Sequence, residues 1–299
     1  MLRQIIGFAT HAISSALVVV LVATVAAQQT ASISASCEPS GSLIRVADLP
    51  EGSGVAVSRR TPGRLWAQND SREPVLVALD AKGAVVGRLR VSGATLEDWE
   101  AVAVGPCPAG TCIYIGDIGD NEAKRTEIRI YRVPEPAEAT GSVAILDVLR
   151  MTYPDGPQDA EALLVTPTGE VLIVTKGDTG SVALYRVPPD AKPGGTVMLQ
   201  PIGKPRRSGK VAAEDRITDG AVSPSGAWVA LRTNTAVQLY RAKDFLSGNW
   251  TEASHVSIKH LGEPQGEGIA FDDERTLYLV GEGGGKSQPG TFGRLTCVF

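Results

Sequence analysis

Read by its apolar positions, the chain from about residue 41 to 299 is a series of short Val, Ile, Leu and Tyr runs separated by Gly, Pro, Asp and Asn. No long stretch keeps a helical period, so the pattern predicts strands joined by turns. The runs also repeat. Five segments line up: "SGVAVS" from Ser53, "EAVAVG" from Glu100, "EALLVT" from Glu161, "DGAVSP" from Asp219 and "EGIAFD" from Glu267. After a short turn each is followed by a second apolar run, ending at Asp70, Asp117, Lys176, Thr233 and Glu282. Each pair reads as a hairpin, whose last residue lies 17, 17, 15, 14 and 15 positions after its first.

The hairpins start 47, 61, 58 and 48 residues apart, with room for two more strands after each, such as "EIRIYRVP", "VALYRVP" and "AVQLYRA". A repeat of that length built from strands describes an all-β propeller of five blades, each of four antiparallel strands. Six blades remain an alternative, because the 61- and 58-residue intervals have space for a degenerate unit. The last unit has room for three strands, ending in "GRLTCVF", and "GSLIRVADL" near the N-terminus can supply the fourth. Pairing the two ends closes the ring. It brings Cys37 close to Cys297, while Cys107 and Cys112 flank one hairpin turn. Two disulfides are therefore expected, Cys37–Cys297 and Cys107–Cys112, the first adding several kcal/mol by restricting the unfolded chain.

The first residues change the picture. Arg3 precedes an apolar run from about Ala12 to Val25 and the small residues Val25-Ala26-Ala27, the pattern of a cleaved export signal over residues 1–27. A short segment, 28–40, would precede a single propeller domain, 41–299. The run is short for a bilayer span, and nothing later is apolar for as long. A secreted or periplasmic protein with an even number of cysteines favours disulfides over thiols. Without the leader the chain carries 28 Lys and Arg against 33 Asp and Glu, which argues against a nucleic-acid partner. The expected form is a monomer.

In a propeller the start of the first strand and the end of the second share one rim of the central channel. Ser53, Glu100, Glu161, Asp219 and Glu267 then form an inner ring, with Asp70, Asp117, Lys176, Arg232–Thr233 and Glu282 just outside it. A residue repeated in every blade fits a capping role, and the alternative is a ligand site. Residues that break the symmetry are more informative. The loop "GDIGDN" places Asp117, Asp120 and Asn121 between two glycines, donors suited to calcium, although the same residues make tight turns. Lys176 and Arg232 either balance the carboxylates or receive an anionic group. Trp99, between Asp98 and Glu100, reads as packing. Arg59 and Arg60 belong to the opposite face.

Other motifs fail. "GEGGGKS" is one residue short of a phosphate-binding loop and no helix follows it. No G-x-S-x-G occurs, and beyond the leader the histidines are His255 and His260, so neither a Ser-His-Asp hydrolase nor a zinc site is supported.

Taken together, "SGVAVSRRTPGRLWAQNDS", "DWEAVAVGP", "YIGDIGDN", "YRVPEP", "YPDGPQDAEALLV", "ITDGAVSP" and "QGEGIAF" resemble a group of largely uncharacterised, exported bacterial β-propeller proteins. More distantly the "EGIAF…LYLVGE" unit is similar to those of propeller lactonases, esterase-like phytase domains and calcium-dependent propeller phytases. That resemblance implies calcium and acidic residues at the channel mouth, and raises hydrolysis as an activity. Two functions are carried forward. One is a binding protein that holds calcium and docks a small anionic ligand or a protein partner through Glu100, Glu161, Lys176, Asp219, Arg232, Glu267 and Glu282. The other is a metal-assisted hydrolase of phosphoesters or lactones.

Overall fold

The computed structural model describes residues 1–2, 36–70, 73–204 and 209–299. The expected leader falls almost wholly outside these. Residues 36–299 form five antiparallel blades arranged in a ring. The innermost strands are Gly52–Val57, Trp99–Cys107, Ala160–Val165, Ile217–Val222 and Gln265–Phe271, and each lies beside the next around the channel. Among the described residues no helix is long and apolar enough to cross a membrane.

A sheet buried on both faces needs apolar residues on both, and the inner strands supply them. Five apolar layers result, one between each pair of neighbouring blades. Trp66, Leu76 and Leu89 of the first blade meet Trp99, Ile113 and Tyr131 of the second. Trp99 is wholly buried there and donates its indole N–H to the Thr95 carbonyl, which is the packing role read from the sequence.

The fifth blade closes as expected but with a longer clasp. Its third strand, Gly290–Val298, pairs with Ile44–Val46 and also with Ser36–Pro39. Cys37 therefore lies inside the closing strand, directly opposite Cys297, and both expected disulfides are formed.

The described residues form five blades and no sixth. The surplus residues of the long intervals form two extra strands, Gly141–Ala144 and Thr196–Met198. Each reaches back and adds in parallel to the outer edge of the preceding blade, alongside Val85–Ser92 and Asp147–Thr152 respectively. An exposed strand edge is a template for unwanted pairing, and these straps cover two of them.

Candidate functional site

Every inner strand carries a β-bulge at its first turn of pairing. The register slips between Gly52 and Gly54, Trp99 and Ala101, Ala160 and Ala162, Ile217 and Asp219, and Gly266 and Ile269. A bulge leaves a residue unpaired and re-aims its side chain. The bulged residues are Ser53, Glu100, Glu161 and Thr218, with Glu267 and Gly268 in the fifth blade. Thr218, not Asp219, thus holds the fourth ring position. Asp219 sits one residue further on, in the blade interface, where its Oδ2 accepts the Ile269 N–H at 2.8 Å.

Capping accounts for the two hydroxyl members of the ring. Ser53 Oγ donates to the Glu100 carbonyl at 2.7 Å, and Thr218 Oγ1 donates to the Glu267 carbonyl at 3.0 Å, each one blade ahead. The three carboxylates are different, because their bonds run to side chains. Glu100 accepts from Ser53 Oγ and shares a hydrogen bond with Asp98; Glu161 pairs with Lys176; Glu267 accepts from Gln265 Nε2. All three are buried, and Glu161 Oε2 has no hydrogen-bond partner.

Charge balance at this end of the channel is poor. Lys176 Nζ pairs with Glu161 and lies 3.6 Å from Asp159 Oδ2, and it is the ammonium felt by Asp98, Glu100, Asp159, Glu161, Glu267 and Glu282 alike. Burial pushes the Glu100 carboxyl well above its ordinary range, helped by Glu161 and Asp98, and pushes Glu161 up likewise, helped by Glu267. Burial lifts Glu267 to about 8, Glu282 to about 7 and Asp159 to about 6. Burial opposes the charge of Lys176, yet Glu161 and Asp159 hold it well above the usual lysine range. Protons on carboxylates make up for the cations this cluster lacks.

The "GDIGDN" loop gathers its oxygens around an arginine. Arg125 Nη1 donates to Asp117 Oδ1 at 3.0 Å and to the Gly119 carbonyl at 2.8 Å, and Nη2 donates to the Asp117 carbonyl. Asp120 accepts the backbone N–H groups of Lys124 and Arg125, and its own N–H donates to Asp159 Oδ1, tying the second blade to the third. Asn121 is exposed. Among the described residues no three His, Cys, Asp or Glu side chains converge as metal ligands do, and in this loop the Asp117 and Asp120 carboxylates are engaged by Arg125 and by the loop backbone. Gly119 has a positional reason: a Cβ there would come within 2.5 Å of Asp98 Oδ2 and 2.7 Å of Glu100 Oε1.

Arg232 lies beneath the ring, wholly buried. It donates to the Gly268 and Val280 carbonyls at 2.7 and 2.8 Å and pairs with Glu263, whose side chain is also buried. With Asp219 it fastens the fourth blade to the fifth, and its guanidinium is enclosed by the protein. Lys176 is likewise taken up by carboxylates. The ring thus brings together Glu100, Glu161, Glu267 and Lys176, places the half-buried Glu282 at its edge near Asp70 and Glu51, and leaves Asp219 and Arg232 in an interface.

Asp98 and Asp159, each two residues before a ring glutamate, join the site without having been singled out in the sequence. The pattern D-x-E in "DWE" and "DAE" was the available signal.

No protein-family model matches the sequence, and no curated protein sequence does either. Solved structures do match in fold. An aldose sugar dehydrogenase from Streptomyces coelicolor, solved with PQQ bound, superposes with a TM-score of 0.54 at 14% identity, covering 88% of this chain and 98% of that one. The major allergen Mala s 1 of Malassezia sympodialis gives a TM-score of 0.53 at 13% identity, over 85% and 96% of the two chains. At such identities the likeness establishes a shared β-propeller fold.

Proposed function

We propose that the protein is an exported binding propeller that takes a cation, calcium in the first instance, into the acidic end of its channel. The supporting observation is the buried, unpartnered Glu161 Oε2 in a ring where three carboxylates share one ammonium. Carboxylate oxygens are the donors calcium prefers, and Glu100, Glu161 and Glu267, which do not converge as ligands in the ion-free ring, would draw together on the ion in exchange for protons. A small anionic ligand or a protein partner would dock through the bound ion, since Lys176 and Arg232 are already paired. Export is supported by the leader pattern and the two disulfides.

The test is a calcium titration followed by thermal melting at pH 8. A ligand at a hundred times its Kd stabilises by about 2.7 kcal/mol, which for a chain of this size raises Tm by roughly 5–10 °C. Glu161→Gln should remove most of that rise. Asp117→Ala with Asp120→Ala should lower the starting Tm but keep the rise, because those carboxylates serve Arg125 and the loop backbone. A wild-type melt unmoved by calcium or by chelator rejects the proposal.

A second reading, metal-assisted hydrolysis, is favoured by Glu282, which burial lifts to about 7 at the edge of the ring, a value suited to donating a proton to a leaving group near neutrality. Calcium-dependent turnover of small phosphoesters or lactones, lost in Glu282→Gln while the calcium-induced rise in Tm is kept, would select it over simple binding.

A further inference from the structure

The other end of the channel breaks the five-fold repeat in its own way. Two residues past the last channel valine, three blades carry a proline: Val104-Gly105-Pro106, Val165-Thr166-Pro167 and Val222-Ser223-Pro224. In the first blade the same position holds Arg59, after Val57-Ser58, and in the fifth it holds Asp273, after Phe271-Asp272. The Asp273 carboxylate accepts the backbone N–H groups of Arg275 and Thr276, both at 2.7 Å, and so serves its own turn.

Four of the five blades border a cavity of about 280 Å³ at this end, and the fifth, with Asp273, does not. Val104, Val165, Val222, the three prolines and Arg59 line it. A narrower void of about 40 Å³, also bordered by Arg59, continues inward between all five inner strands. Small-molecule sites are apolar hollows, typically upwards of ~300 Å³, with a few polar groups that orient the ligand. At about 280 Å³ this one is just under that range, of a size for a short ligand.

The arginines of this face differ in their partners. Arg60 donates to the Glu135 carbonyl at 3.0 Å and Arg64 to the Ala137 carbonyl. The Glu135 carboxylate is itself engaged by Trp66 Nε1 and by the backbone N–H of Arg59. The guanidinium of Arg59 is exposed and has no carboxylate partner among the described residues. An unpaired guanidinium beside an apolar hollow matches a molecule with one anionic group and an apolar body, because the fork binds a carboxylate by two hydrogen bonds while the hollow shelters the chain.

We propose that this end of the channel is a second binding site, for a short-chain organic carboxylate, independent of the acidic ring. Hexanoate is the probe, with 1-hexanol, hexylammonium and inorganic phosphate as comparators, each titrated into the disulfide-intact protein. Hexanoate should bind about tenfold or more tightly than hexanol, the worth of one charge-assisted contact, and hexylammonium and phosphate should not bind measurably. Arg59→Ala, which keeps the backbone bond to Glu135, should abolish the preference for hexanoate over hexanol. Thr111→Trp, placed in the cavity wall, should block both. Calcium and Glu161→Gln should leave hexanoate binding unchanged. Equal affinity for hexanoate and hexanol, a preference that survives Arg59→Ala, binding untouched by Thr111→Trp, or no saturable binding of hexanoate would each overturn the assignment.

Discussion

Glu100, Glu161 and Glu267 are carboxyl groups that folding deprives of water without supplying a matching cation. The consequence is a pH dependence with a definite sign. Glu267 titrates at about 8 in the fold against an ordinary 4.5, so between those values the folded state binds the extra proton, and stability falls as pH rises through that window. Glu282, at about 7, and Asp159, at about 6, act in the same direction. In chelator the melting temperature should therefore be higher near pH 5 than at pH 8. Glu267→Gln should raise Tm by a few degrees at pH 8 and change it little at pH 5, where the carboxyl is already neutral. A wild-type Tm that climbs from pH 5 to pH 8 would contradict this account. The identity of these three glutamates was legible in the repeat, but Thr218 was not. Matching "DGAVSP" by its charge shifted that unit by one residue, whereas aligning Val222-Ser-Pro with Val104-Gly-Pro and Val165-Thr-Pro places Thr218 in the ring. Glu263 was illegible for another reason, since its buried ion pair with Arg232 joins segments 31 residues apart and leaves no local pattern, while Arg125, eight residues from Asp117, lies just outside the "GDIGDN" run.

At the scale of elements, the same bulge recurs in all five inner strands, whereas the segments after the hairpins differ from blade to blade. The hairpins were readable because their alternation of apolar and turn residues is a local property. The straps were not, because Gly141–Ala144 and Thr196–Met198 are four and three residues long and are held only by an edge that another blade presents. Gly87 shows how close the first strap runs: a Cβ there would collide with the Ala139 carbonyl. Gly87→Val should therefore push the strap off the first blade without emptying its core. The expected result is faster protease cleavage between residues 137 and 146, with a Tm lowered by a few degrees; an unchanged digestion pattern would mean that the strap is held elsewhere.

For the whole molecule, the ring makes two unlike ends from one repeat. The bulged starts of the inner strands crowd carboxylates together, and their far ends bring valines, prolines and Arg59 to one cavity. The disulfide between Cys37 and Cys297, 260 residues apart, holds the ring shut, and on the loop-entropy model it contributes about 5 kcal/mol. It also makes the polypeptide between those residues a covalent circle. A protease that nicks one exposed turn, such as the one at Thr61–Gly63, opens the circle but frees no piece of it. The nicked protein should run as one species on a non-reducing gel and separate into two only after reduction. Under protease attack, loss of a fragment then requires two cuts where an open chain would need one.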